Sequence, residues 1–161
     1  MLNHAKIIVA GTGGQGVKML AAILGEILMQ LGVDVTVLND YDAASRGGAS
    51  VAYIAFDKNK VVNPVVDQAD FLLELGVTGK KFTGRNIIAQ KGVRTDGEVY
   101  DFFGLGREKF GKPIYGSTIA LGTLLACLEI DLSKVNLRQA IPKKLPDENV
   151  KAVETGYQLK I

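Results

Sequence analysis

At 161 residues, with 47% apolar side chains, the chain can bury a substantial core without disulfides or metal and is too hydrophobic for disorder. A formal net charge of +2 leaves no basic excess for nonspecific nucleic-acid binding. The single cysteine, Cys127, excludes a disulfide framework and a protein-held iron–sulfur cluster, and the lone His4 excludes His-based metal sites and a Ser-His-Asp triad. No stretch has the length of a membrane span, and the N-terminus runs straight into an apolar strand, so a soluble, cytoplasmic protein is expected.

In chain order, Lys6 to Ala10 predicts a strand, about Gln15 to Leu31 a helix stopped by Gly32, and Asp34 to Leu38 a second strand. Between the first two lies Gly11-Thr12-Gly13-Gly14-Gln15-Gly16-Val17, which satisfies G-x-G-x-x-G where a dinucleotide fingerprint has to stand. A helix N-terminus opening from a glycine turn directs unpaired N–H groups and partial positive charge outward, which suits phosphate or another anion. A second reading stays open, in which the glycines only permit a tight turn and close packing of helix on strand. A dinucleotide site also wants an acidic side chain ending the second strand, where Asn39 stands with Asp40 one residue later. Lys18 opposes the helix dipole, which a bound anion would explain and an ordinary surface lysine equally so.

From Asn39 to Ser50 the chain turns polar, a long loop holding Arg46, Gly47 and Gly48. Arginine's planar fork suits phosphate or carboxylate, and an ion pair with Asp40 or Asp42 is the competing reading of Arg46. Ala49 to Phe56 alternates as a half-buried strand, with a turn at 57–60 and a return strand starting at Val61 and Val62, hence a hairpin. Phe71 to Leu75 and Asn86 to Gln90 read as core strands, 92–97 as a polar turn and Glu98 to Phe102 as an edge strand. The last third reads as helical. Ser117 caps a helix to about Glu129 that buries Cys127; Asp131 or Ser133 caps another through Ala140; Asp147 starts the last, to about Tyr157. The expected fold is one three-layer, Rossmann-like α/β domain over residues 1–161, its sheet mostly parallel with a hairpin and its C-terminal portion helical.

Four ordered phrases carry a resemblance: GxGGQGV at Gly11 to Val17, RGG at Arg46 to Gly48, Asn63-Pro64 followed by Asp70, and Asn149-x-x-Ala152-x-x-x-Gly156-Tyr157. On these the chain resembles the gamma subunit of the 2-oxoacid:ferredoxin oxidoreductases, over nearly its whole length and most thinly over 78–110. The resemblance implies a noncatalytic subunit in a complex that turns a 2-oxoacid, pyruvate or 2-oxoglutarate foremost, and coenzyme A into acyl-CoA, carbon dioxide and reduced ferredoxin. It implies alpha and beta partner subunits and a ferredoxin-like delta subunit, with thiamine diphosphate, Mg2+ and iron–sulfur clusters on the partners. The chain itself lacks a GDG…N motif for thiamine diphosphate and a cysteine set for clusters.

The expected site is a paired-loop surface of Gly11, Gly13, Gly14, Gln15, Gly16, Arg46, Gly47 and Gly48 for coenzyme A phosphates or a partner chain, with no catalytic side chain and no metal. Two other readings are a free-standing Rossmann-type nucleotide-binding module, as sensor or reductase, and a purely structural role for both loops.

Overall fold

A computed structural model describes residues 1–41, 48–60 and 63–160. Strand β1 (His4–Thr12) leads into helix α1 (Val17–Gln30) and strand β2 (Asp34–Tyr41). Helix α1 ends as the glycine predicts: Gly32 has φ 76° and its N–H returns to Met29 O at 2.9 Å. Strands β3 (Ala49–Asp57), β4 (Gln68–Glu74), β5 (Thr83–Gln90) and β6 (Glu98–Tyr100) follow, then α2 (Phe102–Phe110), α3 (Tyr115–Cys127), a 3-10 turn at Leu132–Lys134, α4 (Leu137–Ala140) and α5 (Glu148–Gln158).

The six strands form one sheet in the order β2-β3-β1-β4-β5-β6. All neighbours from β1 to β6 are parallel, while β3 is antiparallel to both β1 and β2. The chain is thus a mixed α/β protein with a mostly parallel sheet and C-terminal helices. The antiparallel hairpin is formed by β2 and β3, joined across 42–48. The expected return strand at Val61 and Val62 lies outside the described residues.

Strand alternation sorts the core into two clusters. Ile7, Val9, Ala52, Ile54, Phe56 and Leu73 face the main core with residues of all five helices. Ile8, Ala10, Val51 and Leu72 face the other way, covered by Phe82 with Val66 and Ile87 beside them. The Asn63–Asp70 phrase serves this second side. Asn63 turns the chain by accepting the Val65 N–H at 3.0 Å, and Asp70 accepts the Lys6 N–H at 2.9 Å, fixing the start of β4 beside β1.

Helix α3 is buried along all of Tyr115–Leu125, so it has no polar face to read from sequence. Its tightest neighbour is α5. A Cβ on Gly122 would collide with Val153 O, and one on Gly156 with Ile119 O. Thr118 Oγ1 donates to Asn149 Oδ1 at 2.9 Å, Thr123 Oγ1 to Gly156 O at 3.0 Å, and Tyr157 OH to Ile130 O at 2.7 Å. The Asn149–Tyr157 phrase is therefore the clasp that docks the last helix.

Several expectations at the C-terminal end are corrected. Ser117 does not cap α3: the helix begins at Tyr115, after Pro113, and Ser117 is fully buried inside it. The proposed edge strand stops at Tyr100, because Asp101 caps a helix by accepting the Gly104 N–H at 3.0 Å. Asp131 caps only the 3-10 turn; Asn136 caps α4, accepting the Gln139 N–H at 3.0 Å. Cys127 closes α3 half-buried, its thiol pushed up by burial.

Candidate functional site: a braced glycine loop

Strand β1 holds the centre of the sheet, and its last residues, Gly11 and Thr12, pair with Ser50 and Ala49 of β3. The turn beyond needs two residues in the left-handed region, Gly14 at φ 87° and Gly16 at φ 77°, and glycine reaches it without strain. Gly16 is the N-cap of α1 and offers no side-chain cap, so the first-turn amides face outward from the carboxyl end of the sheet.

The structure brings the two predicted glycine clusters together at one point: Gly13 donates its N–H to Gly48 O at 3.0 Å. Arg46 and Gly47 lie outside the described residues. Gly13 and Gly14 are exposed, and a Cβ at Gly14 would meet nothing within 4 Å. Among the described residues, the N–H groups of Gly14 and Gly16 have no hydrogen-bond partner.

Gln15 faces inward. Its Oε1 accepts the Thr12 N–H at 2.7 Å, and its Nε2 donates to Leu75 O at 3.0 Å. The space it fills is kept bare by two glycines. A Cβ at Gly11 would come within 2.6 Å of Oε1, and one at Gly76 would overlap the same oxygen. The sequence pattern marks Gln15 but not its neighbours Leu75 and Gly76, which follow directly on the end of β4.

This geometry bears on nucleotide chemistry. In open α/β sheets the ligand crevice opens where the chain switches direction across the sheet, here between β1 and β4. That gap is occupied by the Gln15 amide. Strand β3 also separates β2 from β1, so Asp40 lies about 10 Å rather than about 5 Å across the sheet from the glycine loop. Asp40 is half exposed and pairs with Lys80 at 3.3 Å. Both features a dinucleotide needs, an open switch point and an acidic residue on the adjoining strand, are displaced.

A second polar cluster at the same sheet edge has no counterpart in the sequence reading. Arg94, in the turn after β5, donates through Nε and Nη2 to both oxygens of Asp96, at 2.8 and 2.9 Å. Its Nη1 reaches Glu74 Oε2 at 3.0 Å and Phe82 O at 3.1 Å. Glu74 is almost fully buried, and arginine's fork satisfies two carboxylates and a carbonyl at once. The three residues line a groove of about 640 Å³ rimmed by Lys80 and Lys81. Among the described residues, no three His, Cys, Asp or Glu side chains gather as a metal site.

Fold and loop define an α/β chain organised around a braced glycine turn, and solved structures share its fold. Residues 6–97, more than half the chain, match the pyruvate ferredoxin/flavodoxin oxidoreductase family. A 2-oxoglutarate synthase subunit KorC from Archaeoglobus fulgidus is 28% identical over 99% of this chain and 89% of its own length. A keto/oxoacid ferredoxin oxidoreductase gamma subunit from Geobacter sulfurreducens matches with a TM-score of 0.70 at 20% identity, covering 98% of this chain and 96% of that one. The 2-oxoglutarate:ferredoxin oxidoreductase from Magnetococcus marinus, with 2-oxoglutarate, coenzyme A and succinyl-CoA bound, matches at 0.76 and 17% identity over 99% of this chain and 31% of that one. The chain belongs to the pyruvate ferredoxin/flavodoxin oxidoreductase family.

Proposed function

We propose that residues 1–161 act as one gamma-type domain within a multisubunit 2-oxoacid:ferredoxin oxidoreductase, with 2-oxoglutarate as the leading substrate and pyruvate as the alternative. The complex joins the acyl group of the oxoacid to coenzyme A, releases carbon dioxide and passes two electrons to ferredoxin. The observation that carries this reading is the end-to-end match to KorC subunits, joined to a glycine loop that offers main-chain donors and no reactive side chain. Alpha and beta subunits and a ferredoxin-like delta subunit complete the assembly in this reading, which also places the chain in the cytoplasm. No helix among the described residues is long and apolar enough to cross a membrane.

Thiamine diphosphate with Mg2+ and iron–sulfur clusters supply the electron sink and the single-electron route in such chemistry. The donor set of this chain does not fit a cluster, since one half-buried cysteine cannot stand for four thiolates. These groups are therefore assigned to the partners. The part assigned to this chain is a paired-loop surface of Gly11, Gly13, Gly14, Gln15 and Gly16, with Arg46, Gly47 and Gly48, that receives coenzyme A phosphates. Gln15 takes part through its main chain, because both ends of its amide are engaged internally. A free-standing nucleotide module is not favoured: the Gln15 amide fills the crevice it would use.

Reconstitution tests this reading. The alpha, beta and delta chains without this one should lose activity or bind coenzyme A more weakly, and Arg46→Ala in the full complex should raise the apparent coenzyme A KM with assembly intact. Full activity and unchanged coenzyme A affinity without the chain would overturn it.

A further inference from the structure

We infer that Ser117 and the side chain of Gln15 are positioning residues, which set the direction of the N–H donors that the glycine loop presents to an anion. The inference rests on the reading that this loop receives coenzyme A phosphates, and it adds a residue from the far end of the chain to that site.

The Gln15–Gly16 peptide is trans, as are all described peptide bonds, so its C=O and N–H point in opposite directions. Ser117 Oγ donates to Gln15 O at 2.7 Å from a fully buried position in α3. The carbonyl is thereby turned toward α3 and the Gly16 N–H away from it. Glycine at φ 77° gives this peptide little resistance to rotation, so the serine hydroxyl supplies the constraint that the backbone lacks.

The other half of the brace is the Gln15 amide. It closes the turn onto Thr12 and ties it to Leu75 of the neighbouring strand region, inside the space left by Gly11 and Gly76. A buried serine within an apolar helix ordinarily bonds the carbonyl one turn back. Ser117 instead reaches 102 residues along the chain to the carbonyl whose peptide carries the Gly16 N–H. The helix that carries it is itself held, through Thr118 and Asn149, by α5. Donors fixed in advance spare the ligand the cost of ordering them.

Steady-state kinetics of the assembled complex, with coenzyme A varied, test this. Ser117→Ala should raise the coenzyme A KM roughly three- to tenfold, the size of one lost hydrogen bond. The kcat at saturating coenzyme A and the 2-oxoacid KM should stay unchanged. Arg46→Ala runs alongside. If it raises the coenzyme A KM while Ser117→Ala does not, the positioning role falls and the coenzyme A reading stands; if neither does, both fall. Gln15→Glu gives a measurement that does not depend on Ser117→Ala assembling. A neutral carboxylic acid accepts and donates as the amide does, whereas a carboxylate cannot donate to Leu75 O. The variant-to-wild-type ratio of coenzyme A KM should therefore be well above one at pH 8 and fall toward one as the medium is acidified. A ratio near one at pH 8 would overturn the inference.

Discussion

Alanine at Gly156 is the sharpest perturbation of this fold. The added methyl would overlap Ile119 O, a backbone atom of α3, so no flexible side chain can swing aside. The helices must separate, and separation weakens the Thr118–Asn149 and Thr123–Gly156 hydrogen bonds along with the packing of Ala152 and Val153. Overpacking against rigid neighbours puts the loss at about 3 kcal/mol. For a chain of this size that is a fall in Tm of roughly 6–12 °C. Gly25→Ala is the matched control. It also sits inside a helix, but its Cβ would meet only Val37 Cγ2, at 3.5 Å, an ordinary contact. There the gain in helix propensity should stabilise by about 0.5–1 kcal/mol. Thermal melts of the two variants by circular dichroism should move in opposite directions. A Gly156→Ala melt within about 2 °C of wild type, or two shifts of equal sign and size, would refute the claim that α3 and α5 touch backbone to backbone.

Two further outcomes concern charge. Arg94→Ala strips the buried Glu74 of its cation and should cost about 2 kcal/mol in urea denaturation, below the fully buried range because part of the Arg94 side chain is exposed. Adding Glu74→Gln should recover part of that loss, and a purely additive double variant would deny the coupling. Burial, and then the bond to Glu98, push the Tyr100 hydroxyl up to about 12. The folded chain keeps that proton where the unfolded chain loses it, from about pH 10. This contribution is therefore complete below pH 10 and lost as the pH climbs through the folded value. Ultraviolet titration should show a late-ionising phenol that is lost in Tyr100→Phe, and superimposable titration curves for the two proteins would contradict it.

The β1–α1–β2 unit was legible because glycines punctuate it at Gly11 to Gly16 and Gly32, and apolar runs fill the intervals. Strand β3 was legible as a strand but not in its direction, since alternation of apolar residues is the same read either way. Its insertion between β1 and β2 is what moves Asp40 out of dinucleotide reach. Helix α2 was missed because Gly104 and Gly106 lower helix propensity and Phe102-Phe103 reads as strand, although Asp101 and Gly111 marked its two ends. Ser117 was noticed for the wrong reason. A serine near a helix start suggests a cap, and only the folded chain shows its acceptor lying in the glycine loop. Arg94 was invisible for a similar reason, since Glu74, Phe82 and Asp96 meet only when the ends of β4 and β5 do.

Protein synthesis meets these pieces in a fixed order. The glycine segment leaves the ribosome with the first strand, yet the hydroxyl that orients it arrives about a hundred residues later, and the helix that steadies that hydroxyl arrives last of all. A truncated product ending near residue 100 would carry every letter of the opening phrase and its bonds to Gly48 and Leu75, but not the hydroxyl that holds the Gln15 carbonyl. Grafting that opening onto another protein would transfer a spelling without its meaning, because here the turn is finished by the tail.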